Sequence, residues 1–148
     1  MRVCALTLAA VLPDVTNAET TAVFGEQRPI IEAVRSQDKS QVESLLAAGG
    51  DPDQADALAR TPLHYASALG QPDIVALLLQ SHAELNRADQ NGYTPLMRAA
   101  QNGKAEVVRL LLASRSNADL RNDDGHTALD LAQQNGHQQV VQILSAPK

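Results

Sequence analysis

Apolar positions along this chain recur in two alternating groups. One holds Leu63 and Ala66, and the next holds Ile74, Val75, Leu78 and Leu79. Spacings of three and four residues place each group on one face of a helix. Both groups return 33 residues later, as Leu96 and Ala99 and then Val107, Val108, Leu111 and Leu112. They return once more at the same step, as Leu129 and Ala132 and then Val140, Val141 and Leu144. Upstream, Ile30, Ala33, Val42 and Leu45 keep the register. The pattern predicts four helix pairs, in units of about 28–57, 58–90, 91–123 and 124–148, the last ending near Ser145.

Polar residues between the groups supply the starts and stops. Thr61, Thr94 and Thr127 are suited to cap the first helix of a pair, and Pro62 and Pro95 follow at the first helical position. Proline costs nothing there, because its missing N–H would have had no partner inside the helix. Gly70, Gly103 and Gly136 stand where the first helix ends and a left-handed residue is wanted. One such helix pair cannot bury both of its faces. Stacking of copies therefore has to supply the core, and the end units need polar outer faces.

The repeated segments are "RTPLHYASALGQPDIVALLLQSHAELN", "GYTPLMRAAQNGKAEVVRLLLASRSNADLRNDDG" and "GHTALDLAQQNGHQQVVQIL". With its Thr-Pro-Leu-His start, Ala-rich helix, Gly, Val-Val and Leu-Leu-Leu, the chain resembles the ankyrin-repeat family over about four-fifths of its length. That resemblance implies an all-α solenoid of antiparallel helix pairs, with a β-hairpin-like loop projecting from each unit. It also implies work by protein–protein recognition, with no catalysis. It makes His64 a structural hydrogen-bonding residue and gives His137, after Gly136, a similar role at the start of a second helix. The first unit departs from the pattern. It has Arg28-Pro29-Ile30-Ile31 in place of Thr-Pro-Leu-His, and it carries Glu32, Arg35 and Lys39 outward, as an N-terminal cap would.

Two further departures concern loops. Ala59 stands where the later loops have Gly92 and Gly125, so the first loop is expected to turn less tightly and to project Leu58. His82 and Arg115 occupy a helix-ending position where the first unit has Gly49, and both are expected in the left-handed conformation.

Composition fits a stack of thin helices. Aromatic residues make up 2% of the chain, so Leu, Val and Ala carry the buried area. The net charge is −5 with no basic cluster in the sequence, which argues against nucleic acid or an anionic membrane as partner. The one cysteine, Cys4, allows no intrachain disulfide.

Arg2, the apolar run Val3–Leu12 and the exit Thr16-x-Ala18 have the order of a secretory signal peptide over 1–18. A linker follows over 19–27, and the repeat domain covers 28–148. The mature chain is expected to start at Glu19, without a membrane anchor, as a monomer. Together with a resemblance to short exported bacterial ankyrin proteins, this points to a periplasmic or secreted adaptor. A cytoplasmic interaction module, or a secreted effector acting on a host protein, is the alternative.

Chemistry is sparse. No histidine pair has the helical spacing of a metal site. "DLRNDDGHTALD", which begins at Asp119, resembles a calcium loop but lacks the closing Glu. No phosphate loop or activated nucleophile stands out, so no cofactor, metal or catalytic residue is expected. A third class, an enzyme or metal-binding protein, has no motif behind it. The residues free of the stacking register are the candidates for a partner. They are Ala57, Leu58 and Arg60 on the first loop, Gln90, Asn91 and Tyr93 on the second, and Asp123, Asp124 and His126 on the third. Ala68, Leu69, Gln101, Asn102, Gln134 and Asn135 extend the surface along the ends of the first helices. Tyr93 and Leu58 are the expected anchors, and Arg60 is the expected partner of an acidic group.

Overall fold

The computed structural model describes residues 28–146. The expected signal peptide, linker and Cys4 lie outside these residues. Eight helices follow one another and no strand occurs among the described residues. They are α1 (Pro29–Arg35), α2 (Lys39–Ala47), α3 (Pro62–Leu69), α4 (Pro72–Gln80), α5 (Pro95–Gln101), α6 (Ala105–Ala113), α7 (Ala128–Gln134) and α8 (Gln138–Ser145). Odd-numbered helices stack on one another in one row and even-numbered helices in a second.

Each start works as the sequence predicts. The hydroxyl oxygens of Thr61, Thr94 and Thr127 accept hydrogen bonds from the N–H groups of His64, Met97 and Asp130. Helices this short are marginal alone. Their stability comes from the faces they bury between neighbours. Leu63, Leu96, Val75, Val108, Leu78, Leu111, Ala66 and Ala99 are all at 0% exposure. Small Ala side chains at the centre of each first helix let the next first helix approach closely.

The last unit departs from the register-based expectation. Leu129, Val141 and Leu144 are half-buried, and Val140 is the buried residue of α8. The cause is position in the stack, since no described unit lies beyond α7 and α8 to cover them. Asp130 and Gln133 stand there at the register positions of Met97 and Ala100, which are buried one unit earlier. Polar residues thus replace part of the stacking face at this end.

His82 and Arg115 adopt φ 67 and 71, as expected, and Gln37 at φ 60 is a third helix-ending residue of this kind. The expectation for Ala59 is corrected. It takes φ 61, and its N–H bonds the Asp56 carbonyl at 3.0 Å, as Gly92 does to Asp89. The first loop turns as tightly as the others and carries the cost of a left-handed Cβ. Leu58 does project, at 39% exposure.

Candidate interaction face

Between units, the chain makes a five-residue turn built three times on the same plan. The N–H of Asp56 bonds the Arg60 carbonyl, that of Asp89 the Tyr93 carbonyl, and that of Asn122 the His126 carbonyl. One side-chain oxygen of each opening residue accepts two backbone N–H groups of its own turn. For Asp56 these come from Leu58 and Arg60, for Asp89 from Asn91 and Tyr93, and for Asn122 from Asp124 and His126. Successive turns are tied by one backbone bond each, Gln90 N–H to Leu58 C=O and Asp123 N–H to Asn91 C=O, both 3.0 Å.

The second oxygen of each carboxylate meets an arginine, and a tyrosine ring lies against the guanidinium. Oδ2 of Asp56 accepts from Arg60 Nε at 3.0 Å and from the Tyr65 hydroxyl at 2.5 Å, and the Arg60 guanidinium lies over the Tyr65 ring at 5.0 Å. Oδ2 of Asp89 accepts from Arg98 Nη2 at 2.6 Å, and the Arg98 guanidinium lies over the Tyr93 ring at 4.0 Å. The two clusters contain the same three side chains with Arg and Tyr exchanged, because Arg60 is in register with Tyr93, and Tyr65 with Arg98. Arg35 reaches the other cluster as well, 5.9 Å from the Tyr65 ring.

Burial pushes the Asp56 carboxyl up. The Tyr65 hydroxyl, the N–H groups of Arg60 and Leu58 and the Arg60 charge outweigh it, so the pKa falls below the ordinary 3.8. Asp89 is held low in the same way, with Arg98 as the strongest opposing group. Burial, reinforced by Asp56, raises Tyr65 above 10.0. In the third turn no arginine or tyrosine is present. Leu131 stands in the register of Tyr65 and Arg98, and Asn122 replaces the aspartate. The nearby Arg121 turns outward to the Gly125 carbonyl and Asp130, so a carboxylate here would lack the inward cation of the other two turns, and a neutral amide suits the place. Its Nδ2 is buried without a partner among the described residues.

His64 is structural, as the resemblance implied. Its Nδ1 accepts from Thr61 N–H at 3.1 Å, so Nε2 carries the proton and donates to the Tyr93 carbonyl at 2.7 Å. This bond joins the first helix of the second unit to the second turn. Burial lowers the pKa of His64 below 6.5, against the Tyr93 carbonyl and the Asp89 charge. His137 makes a similar link, Nε2 to the Gln101 carbonyl at 3.0 Å, with its ring lying where a Cβ on Gly103 would have to sit.

The candidate residues fall along one face of turns and first-helix ends. Leu58 and Leu69 are its exposed apolar residues, at 39% and 40%. Leu58 lies in the first turn, before α3, and Leu69 is the last residue of α3. Ala57, Gln90, Asn91, Asp123 and Asp124 are exposed at the turn tips, and His126 is half-buried. Asn102, Gln134 and Asn135 are exposed at helix ends, with Asn102 Nδ2 bonded to the Ala68 carbonyl at 3.1 Å. Arg60, Tyr93 and Gln101 are half-buried and already engaged within the protein, so the expected anchor Tyr93 has one ring face occupied by Arg98. Tyr65, Arg98 and Asp89 escaped the sequence reading. The signal was present in the pairing, because Asp-x₃-Arg-x₄-Tyr from Asp56 and Asp-x₃-Tyr-x₄-Arg from Asp89 share one spacing.

Ankyrin repeats, in a three-copy family pattern, match residues 5–89, 30–122 and 81–148. The chain belongs to the ankyrin-repeat family. Among curated proteins, the potassium channel SKOR of Arabidopsis thaliana is 46% identical over 43 residues, which is 29% of this chain and 5% of that protein. The chain thus spans a small part of the length of the relative it matches. As an ankyrin-repeat protein it is a protein–protein interaction module of a general kind. No helix among the described residues is long and apolar enough to cross a membrane.

Proposed function

We propose that this ankyrin-repeat protein is a non-catalytic adaptor, exported to the periplasm, that holds a partner protein along its turn tips and first-helix ends. The observation that carries the reading is that the exposed Leu58 and Leu69 belong to the same unit as the Arg60–Tyr65 pair. Apolar and aromatic groups desolvate at little cost, and arginine and tyrosine dominate the energetics of interfaces. The opposite, second-helix side has no exposed large apolar residue among the described residues, and its exposed positions include Glu106 and Arg109. The order of residues 1–18 supports export.

Capture of partners from the native compartment tests the surface. Leu58→Asp and Leu69→Asp should each weaken capture at least about tenfold, since a charge has to be desolvated at the contact. Both should leave the thermal midpoint nearly unchanged, because neither side chain is buried. Loss of capture with Arg109→Glu, and none with the leucine variants, would place the partner on the other side. Mass spectrometry of the natively expressed protein tests export, with a start at Glu19 expected and an intact Met1 refuting it.

A further inference from the structure

The sequence shows no basic cluster, yet folding assembles one. A cleft between the second and third units is lined by Arg60, His64, Tyr65, Ala68, Arg98, Gln101 and Asn102, with no carboxylate among them. The two nearest carboxylates are turned inward and consumed. Asp56 and Asp89 each spend one oxygen on backbone N–H groups and the other on the cluster, and Asp89 is only 7% exposed. Each arginine lies further out than its aspartate, so each ion pair presents its positive end to solvent. Arg60 engages Asp56 through Nε, and both of its Nη groups have no hydrogen-bond partner among the described residues. A guanidinium has five N–H donors in a planar fork that matches a carboxylate.

We propose that this cleft receives a carboxylate side chain of the partner, so that the protein selects a partner through an acidic segment. The proposal rests on the interaction face described above and narrows its occupant. Charge complementarity supports it. On a chain of net charge −5, two arginines face one cleft. The position is particular to this unit boundary. One step along the stack, the register equivalents of Arg60 and Arg98 are Tyr93 and Leu131, and the neighbouring turn carries exposed Asp123 and Asp124. An acidic segment is therefore favoured at the boundary of the second and third units over the next boundary.

The test uses the whole protein and a labelled oligoglutamate peptide, followed by fluorescence anisotropy at low salt. Binding is expected, and it should weaken as salt rises. Arg60→Gln should weaken it about tenfold, the size of one lost charge-assisted contact at a partly exposed site. Asn102→Asp places a carboxylate in the cleft without touching either ion pair and should weaken binding at least as much. Arg109→Gln, on the second-helix side, should leave binding unchanged. Thermal midpoints of all three variants verify that folding is intact. Absence of oligoglutamate binding overturns the proposal, as does equal weakening by Arg60→Gln and Arg109→Gln or tighter binding of oligolysine. Free glutamate competing as well as the peptide at equal carboxylate concentration identifies a small-anion site and overturns the peptide source. If the peptide fails while a captured partner still depends on Leu58 and Leu69, the acidic occupant is wrong and the interaction face stands.

Discussion

The exchange of arginine and tyrosine between the two clusters predicts how a double substitution behaves. Arg60→Tyr combined with Tyr65→Arg should rebuild in the second unit the arrangement that Asp89, Tyr93 and Arg98 form in the third. Each single change breaks the set. Arg60→Tyr removes the Nε bond to Asp56 at 3.0 Å and the cation over the ring at 5.0 Å. Arg60 is 35% exposed, so solvent screens this pair and the loss is about 0.5–1 kcal/mol. Tyr65→Arg removes a hydroxyl bond to a charged acceptor and sets two guanidinium groups side by side, for about 1–2 kcal/mol. The singles should sum to about 2 kcal/mol, and the double should cost no more than about 0.5 kcal/mol. Urea denaturation at pH 7 measures all three, and the coupling of about 1.5 kcal/mol exceeds the scatter of additive pairs. A double variant as unstable as the sum of the singles would show that the two clusters are not equivalent, and that register alone does not decide which side chain meets the aspartate.

Three further outcomes are expected. Leu96→Ala and Leu111→Ala, both at 0% exposure, should each cost about 2–5 kcal/mol in chemical denaturation, and a cost below about 0.5 kcal/mol at both would contradict the stacking register. His82→Gly and Arg115→Gly should each raise stability by up to about 1 kcal/mol, because both side chains sit exposed at positive φ; a lower denaturation midpoint in both sinks that reasoning. The stability conferred by neutral His64 should be present above pH 6.5 and lost as pH falls from there toward its depressed folded value. The unfolded chain takes up a proton in that window and the folded one resists it, with a slope of at most about 1.4 kcal/mol per pH unit. His64→Met, which copies Met97 in the next unit, should remove that slope; an unchanged slope assigns the dependence to another group.

Most of the fold was legible because stacking is a local rule repeated. Leu63, Leu96, Val75 and Val108 are buried for the reason their spacing announced, and the left-handed residues His82 and Arg115 followed from the place of Gly49. The failures have two physical sources. Register predicts burial only where both neighbours exist, so Leu129, Val141 and Leu144 came out half-exposed. Ala59 shows that a turn held by its aspartate keeps its shape even without glycine, because Asp56 closes it with two backbone bonds. The site was less legible than the fold. Comparing single positions between units hides Arg60 against Tyr93 and Tyr65 against Arg98, since neither position keeps its residue. Comparing pairs reveals them, and the same comparison explains why Asn122 sits beside Leu131.

The single hydrogen bond between successive turns gives the stack a direction of give. Along the helix rows, neighbouring units are clamped by fully buried side chains, and sliding or prying them apart opens apolar surface to water. Along the row of turn tips, the tip-to-tip bonds are Gln90 to Leu58 and Asp123 to Asn91, with the His64 bond to the Tyr93 carbonyl beneath the second turn. Prying the helix rows apart thus costs buried apolar contact, whereas prying the tips apart costs a few hydrogen bonds. A partner gripping two tips therefore pulls where the fewest bonds join the units, and the buried helix rows resist it.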